Sequence, residues 1–401
     1  MVIQWVSHLF RFRPSRNRGF GLFPDDILVD ILSRLPADAV LRCRRVCRHW
    51  RTLTSSADFV ALQNQRAPSV LLLQGRRLGL LAKTDYFVYD ALAKELRKIP
   101  FKSRLGFEGR GKTMENETIS LRGACGPLLH LKASGYYNWT RGVHNFAFNL
   151  ITRQLGALKM RKGDFVCGLF FNEARSEYNY LSFRFLGDKS GRFYVYSLDS
   201  RTDVEIACSP FLFGRCSNQS PVVANRAVFL MVERTERDVN RCMHAILVFE
   251  MDSGKFYNMP HPQFECPGTG LHHFSPYSYL FVHDGHLCLG RRDIELGLLY
   301  TWTLVDYANW SWAPLGPTIA LLIPKGPTGG ARFTILSVRK DELLVYWDPS
   351  LFLVNVKDES VEEIKLPYKW LPSSLSLVAY RSTLAAPRLV WDEGKSPLFS
   401  L

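Results

Sequence analysis

The chain has 401 residues, 47% of them hydrophobic and 22% charged, which is typical of a folded globular protein and excludes an intrinsically disordered one. The apolar runs fall short of the roughly 18–20 residues that span a bilayer, so we expect no transmembrane helix. The formal net charge of +14 could mean nucleic-acid contact, an acidic partner or only a solvated basic surface. The charge outside the N-terminal arm and the second helical run is dispersed rather than concentrated in a stripe with aromatic residues, so nucleic acid is not the favoured partner.

Residues 1–21 are predicted to form a basic, flexible arm because four arginines lie within residues 11–18. The arm lacks the small-residue cleavage site of a secretory signal, so we expect localisation in the cytoplasm, the nucleus or both. The nine cysteines are scattered singly, and we expect free, mostly buried thiols rather than a disulfide framework.

A helix is predicted to begin near Pro24, which fits a first turn, and Asp25 and Asp26 complement the positive end of its dipole. Apolar residues then recur at spacings of three and four until Pro36, namely Ile27, Leu28, Ile31, Leu32 and Leu35. These five residues cover a wide arc of the helix, so some of them must point outward.

A second helical run follows, in which apolar residues from Val40 to Cys47 alternate with arginines, and Trp50 closes it. Residues 57–65 are predicted to form a short trailing helix. Three or four helices are too few to bury their whole apolar face, which indicates a docking surface for the helices of another protein. The alternative is an ordinary helical cap packed on the following domain.

The segment resembles an F-box, the module that ties a substrate receptor to the Skp-type adaptor of a cullin-RING ubiquitin ligase. The matching residues are Pro24, Asp26, Ile27, Leu28, Ile31, Leu32, Leu35, Pro36, Arg44, Val46, Cys47, Trp50 and Arg51. The sequence departs from the family pattern at Phe23, where leucine is usual, and at Cys43, where phenylalanine is common. Both departures keep an apolar side chain.

The resemblance implies an F-box module at residues 22–66 and a set of adaptor-binding residues. These residues are Pro24, Leu28, Ile31, Leu32, Leu35, Pro36, Val46 and Trp50. It further implies a non-catalytic receptor subunit of an SCF-type E3 ligase that needs no cofactor, because such receptors act by positioning a protein substrate.

Residues 67–390 are predicted to form a large all-β domain, with a tail at 391–401. A sequence phrase recurs about every fifty residues. It consists of an aromatic and aliphatic strand, a polar turn, and a second strand that ends near proline. Its six copies are residues 86–100, 145–160, 192–210, 245–260, 300–317 and 351–367. This period predicts a β-propeller of about six four-stranded blades.

Partner hairpins are predicted at residues 221–231, 279–292 and 333–348, with tight turns at Asn225-Arg226 and Asp284-Gly285. Residues 70–74 and 377–380 are the candidates for pairing across the closure of the ring. Such closure removes the exposed edges of an open sheet.

This region is similar to the F-box-associated and kelch-like domains of many plant F-box proteins, on the basis of phrases such as FAFNLITRQL and YLFVHDGHLCL. The double glycine of kelch repeats is missing. The resemblance implies that the β domain binds a target protein through its loops, without identifying that protein.

A phosphate-loop pattern, GFEGRGKT at residues 106–113, lacks the buried strand before it and the helix after it that nucleotide binding needs. We expect a flexible loop between blades there.

A possible zinc cluster consists of His261, Cys266, His272 and His273, but it lacks a Cys-x-x-Cys anchor, so we expect ordinary loop residues and no metal. Two further interpretations stay open: a propeller enzyme, or a basic nucleic-acid-binding scaffold with a helical cap.

Overall fold

The structure is a computed structural model that describes residues 23–67, 69–76, 84–90, 94–99, 102–103, 118–137, 140–151, 154–160, 164–186, 191–208, 213–216, 219–234, 244–262, 278–293, 296–321, 333–367, 375–381, 383–384 and 399–400. It divides into two compact units, Met1–Ala67 and Pro68–Leu401. This division lies one residue from the predicted domain boundary. In the described residues, no helix has the length and apolarity to cross a membrane.

In its described part, residues 23–67, the N-terminal unit, which we call the helical unit, contains four helices. They are α1 (Asp25–Ser33), α2 (Ala37–Cys43), α3 (Arg48–Ser55) and α4 (Ala57–Arg66). Pro24 lies just before α1, where its carbonyl accepts from the Leu28 N–H at 3.1 Å, rather than inside the first turn. The predicted second run is two helices, and α3 continues past Trp50.

The second unit is a six-bladed β-propeller, which confirms the predicted fold class, while the kelch-like type stays a prediction. Blade 1 contains β1 (Ser69–Arg76), β2 (Thr84–Asp90) and β3 (Glu95–Ile99), followed by the short β4 (Lys102–Ser103). Blade 2 contains β5 (Thr118–Cys125), β6 (Leu128–Tyr137), β7 (Thr140–Asn149) and β8 (Gln154–Ala157). Blade 3 contains β9 (Asp164–Asn172), β10 (Glu177–Phe185), β11 (Gly191–Ser197) and β12 (Asp203–Cys208).

The remaining three blades follow in chain order. Blade 4 contains β13 (Phe213–Cys216), β14 (Val222–Ala224), β15 (Ala227–Arg234), β16 (His244–Glu250) and β17 (Lys255–Met259). Blade 5 contains β18 (Ser278–His283), β19 (His286–Asp293), β20 (Leu298–Asp306), β21 (Ser311–Pro314) and β22 (Ile319–Ala320). Blade 6 contains β23 (Phe333–Arg339), β24 (Glu342–Trp347), β25 (Ser350–Asn355) and β26 (Val361–Ile364).

The ring closes through β27 (Ser376–Arg381), which is the innermost strand of blade 1 and pairs antiparallel with β1. Val70 lies opposite Tyr380 and Gln74 opposite Ser376, so the predicted closing segments do pair. Within the predicted tail, β28 (Phe399–Ser400) pairs with β4. Because β27 pairs with β1, blade 1 contains strands from both ends of the propeller sequence.

The six recurring phrases are the two outer strands of the six blades. Polar side chains at the strand ends form the turns: Asn149 Oδ1 accepts from the Ile151 N–H at 2.8 Å, and Asn355 Oδ1 from the Lys357 N–H at 2.9 Å. The repeated placement of these residues explains why the period is visible in the sequence.

The two predicted tight turns both have positive φ at their central residues, as a type I′ turn requires. The values are 43° and 58° at Asn225 and Arg226, and 47° and 81° at Asp284 and Gly285.

Six apolar clusters fill the spaces between neighbouring blades, one cluster for each pair in the ring. Between blades 5 and 6, for example, Trp347 is fully buried and its ring lies edge-on to Phe333 with centroids 6.0 Å apart. The propeller therefore has a distributed core rather than a single centre.

Candidate docking surface of the helical unit

Helix α1 carries two adjacent apolar stripes, each made of residues four apart. Leu28 and Leu32 are 6% and 3% exposed and belong to the core of the unit, which also contains Val40. Ile27 and Ile31 are 42% and 48% exposed. The expectation that part of the wide arc points outward is therefore confirmed, with Ile27 and Ile31 as the outward pair.

Two more large apolar side chains of the unit are exposed: Phe23 at 57% and Val46 at 41%. We call Phe23, Ile27, Ile31 and Val46 the exposed apolar set. Single exposed apolar residues are ordinary on protein surfaces, whereas these four lie within 24 residues of a small helical unit.

The structure separates the eight predicted adaptor-binding residues by exposure. Exposed side chains belong to Pro24, Ile31, Pro36 and Val46. Leu35 and Trp50 are half-buried, whereas Leu28 and Leu32 lie inside the unit. Sequence reasoning left Phe23 and Ile27 out of the predicted set, although the spacing of four between Phe23, Ile27 and Ile31 was a signal that could have included them.

Polar contacts of Asp30 fix the orientation of α1. Its carboxylate accepts from Arg34 at 3.0 Å and from Arg66 of α4 at 2.7 Å. Hydrogen bonds from Arg34 and then Arg66 lower the pKa of Asp30. Arg66 also donates to Ser33 Oγ at 2.8 Å, so three side chains join the two helices. In this arrangement Leu28 and Leu32 face the core, while Ile27 and Ile31 stay at the surface.

A second joint connects the turn after α2 to α3. Arg44 Nη2 donates to the Thr54 carbonyl at 2.6 Å, and Cys47 Sγ caps α3 by accepting from the Trp50 N–H at 3.4 Å. Cys43 is buried, in agreement with the expectation of mostly buried thiols, whereas Cys47 has this capping contact. The two contacts hold Val46 in a fixed turn at the surface.

Exposed arginines surround Val46 in the sequence: Arg42, Arg45, Arg48 and Arg51. The surface therefore combines apolar side chains with positive charge. An apolar partner surface with acidic residues around it is complementary to this arrangement.

In the propeller, burial causes the largest pKa shifts among the described residues. It raises the pKa of Cys125 to about 12 and of Tyr86 to about 12, and it lowers the pKa of His130 to about 4. His130 bonds Asn145 at 3.0 Å inside blade 2. These are packing effects within single blades or between neighbours, and they do not indicate a shared acid–base site.

A small apolar cavity of about 10 Å³ lies between blades 1 and 2, lined by residues such as Leu72 and Leu131. It has room for about one water molecule. In the described part of the chain, no three His, Cys, Asp or Glu side chains converge as metal ligands. Residues 106–113, Cys266, His272 and His273 lie outside the described residues.

A family model described as F-box-like matches residues 20–59. An F-box protein of Arabidopsis thaliana is 39% identical over 57 residues, and a putative F-box protein of the same plant is 38% identical over 53 residues. These matches cover 14% and 12% of this chain and only 16% and 14% of the relatives. A third Arabidopsis F-box protein is 24% identical over 333 residues, covering 77% of this chain and 75% of the relative.

Among solved structures, the chain is similar to a periplasmic gluconolactonase of Pseudomonas aeruginosa with 12% identity and a TM-score of 0.42. That match covers 77% of this chain and 99% of the other. A likeness this distant supports no argument about activity, and the propeller assignment rests on the strand pairing itself.

Proposed function

We propose that this chain, which is an F-box protein, is the substrate-recognition subunit of an SCF-type ubiquitin ligase. The helical unit docks on a Skp-type adaptor, and the propeller binds the protein to be ubiquitinated. The subunit is non-catalytic: it raises the local concentration of the target beside the loaded conjugating enzyme. We place this activity in the cytoplasm, the nucleus or both.

The observation that supports this proposal is the exposed apolar set on a module of matching sequence. Burying one large aliphatic side chain contributes about 1.5–3 kcal/mol, so covering these residues provides several kcal/mol toward association. Of the residues implied by the resemblance, we assign direct contact to Pro24, Ile31, Pro36 and Val46, and add Ile27. Leu28 and Leu32 support that surface from beneath.

The test is co-purification of the full chain with a Skp-type adaptor, using Ile31→Asp. Because Ile31 is exposed, the aspartate carboxylate of the variant does not disturb the free chain. In the complex, that carboxylate is buried without a partner. We expect about 100-fold weaker binding. The matched control is Val305→Asp, at a residue that is 58% exposed on the propeller, and it should bind normally.

Binding of Ile31→Asp at wild-type affinity would count against the docking surface. A pull-down that compares the two variants then separates ligase components from target proteins. Proteins lost only with Ile31→Asp belong to the ligase side, and proteins retained by both variants are candidate targets.

A further inference from the structure

The innermost strand of blade 4 is interrupted. Its two pieces, β13 and β14, both pair with β15, with Cys216 opposite Val232 and Val222 opposite Phe229. Between these two pieces, the described residues 219–221 are not part of either strand, so the pairing with β15 is broken there. These residues, Gln219, Ser220 and Pro221, contact blades other than their own.

Gln219 bonds the innermost strand of blade 5. Its amide Nε2 donates to the Ser278 carbonyl, and its Oε1 accepts from the Leu280 N–H at 3.4 Å. The side chain thus pairs with two backbone groups of β18, as a neighbouring strand would. Backbone groups at the edge of an innermost strand need such partners when they are away from water.

Ser220 bonds the innermost strand of blade 2, because its hydroxyl donates to the Arg122 carbonyl. The pairing of β5 with β6 shifts register between Leu121 and Gly123, which places Arg122 in a bulge. In the ring, blade 2 is three blades from blade 5. A segment of blade 4 that contacts the innermost strands of both blades must extend into the central channel.

Two glycines make room for the segment. A Cβ on Gly123 would lie 2.3 Å from Ser220 Oγ, and a Cβ on Gly168 of β9 would lie 2.1 Å from Pro221 Cδ. Real Cβ atoms do not approach other atoms so closely. Blades 2 and 3 are therefore shaped to receive residues from blade 4.

We propose that Gln219, Ser220 and Pro221 form an axial latch, which fills the propeller channel at this level and fixes blades 2, 3 and 5 relative to blade 4. The latch is a second closure of the ring, separate from the pairing of β27 with β1. A target protein then meets the faces and outer edges of the propeller rather than threading its axis. The latch does not depend on the proposed ligase role.

The test is hydrogen exchange of the full chain, measured at the Leu280 amide and normalised to amides of β24 in blade 6. Gln219→Ala removes the acceptor of the Leu280 N–H and should raise its exchange about tenfold. Gly123→Val should expel Ser220 and raise exchange at the same amide, although residue 123 lies in the opposite blade.

Two variants serve as controls. Gln74 makes a similar pairing between adjacent blades, with Oε1 accepting from the Leu121 N–H at 2.5 Å, so Gln74→Ala should affect Leu121 and not Leu280. Gly191→Val creates a comparable clash with Phe183 inside blade 3 and should leave the normalised Leu280 exchange unchanged. Unchanged Leu280 exchange in both Gln219→Ala and Gly123→Val would overturn the latch.

Discussion

The two units differ in how their exposed large apolar side chains are distributed. Among the described residues, the helical unit leaves four of them exposed between residues 23 and 46, whereas the propeller exposes eight that are scattered between residues 165 and 361. The propeller can hide its apolar surface because each blade has two neighbours. Four short helices offer too little interior, so the helical unit keeps apolar area that association with another chain can bury.

In α1, burial rather than apolarity distinguishes the core residues from the outward-facing ones. Leu28 and Ile27 are adjacent and similar in hydrophobicity, yet one supports the unit and the other faces out. Substitutions at these neighbours should therefore have different consequences.

The largest effect is expected for Leu28→Asp, which buries a charge in the core of the helical unit. We expect a loss of about 4 kcal/mol or more, enough to unfold that unit. Hydrogen exchange of residues 25–66 in the full chain measures this directly. Ile31→Asp should leave the same amides protected, and equal exchange in the two variants would contradict the division of α1 into inner and outer stripes.

Within the propeller, Trp347→Ala should lower the free energy of unfolding by about 3–5 kcal/mol, because it opens a cavity between blades 5 and 6. It also removes the ring over which the Arg292 guanidinium lies, 5.5 Å from the centroid. Urea denaturation gives the value, and Val305→Ala, at an exposed site, should change stability by less than about 0.5 kcal/mol. Similar losses in the free energy of unfolding for Trp347→Ala and Val305→Ala would argue against a core between the blades.

Acid should destabilise the propeller through His130. Its pKa is about 4 when folded, because burial disfavours the charged ring, against an ordinary value of 6.5. The contribution of His130 to the free energy of unfolding is complete above pH 6.5. It is lost as the pH falls from 6.5 toward 4, because in that range only the unfolded chain takes up the proton. The loss is about 3 kcal/mol.

Unfolding measured across that range should show a steeper pH dependence for the wild type than for His130→Gln. The difference between the two proteins isolates His130 from the carboxylates that titrate in the same window. Parallel profiles would mean that His130 titrates alike in the folded and unfolded chains.

The smallest effect is expected at the surface of blade 3, where Arg192 and Glu205 form an ion pair at 2.8 Å. Both side chains are more than 40% exposed, so water and salt screen the attraction. Arg192→Gln should cost about 0.2–1 kcal/mol, and less in high salt. A larger loss in thermal unfolding would show that blade surfaces contribute more to stability than their exposure indicates.

Much of the fold was predictable because its signals are local. The strand-ending Asn149 and Asn355 form turns with their own neighbours, and Asp284-Gly285 specifies a hairpin by backbone conformation alone. The closing pair, β1 with β27, could be predicted because both strands were left over after the other phrases had been matched.

The exposed apolar set was only partly predictable. The spacing of α1 showed that some residues face outward, but the choice between Ile27 and Leu28 depends on α4, whose Arg66 reaches Asp30 across 36 positions. The axial latch was not predicted, because Gln219 and Ser220 follow no period and their partners lie in other blades. Contacts of this kind are set by tertiary structure.

The closing position of β27 has a consequence for synthesis. About 300 residues separate the end of β1 from Ser376, and a ribosome that adds 5–20 residues per second needs about 15–60 s to supply them. During that interval the edge of β1 has no permanent partner, while the four helices have already emerged. The exposed apolar set is therefore available on the nascent chain before the propeller ring can close.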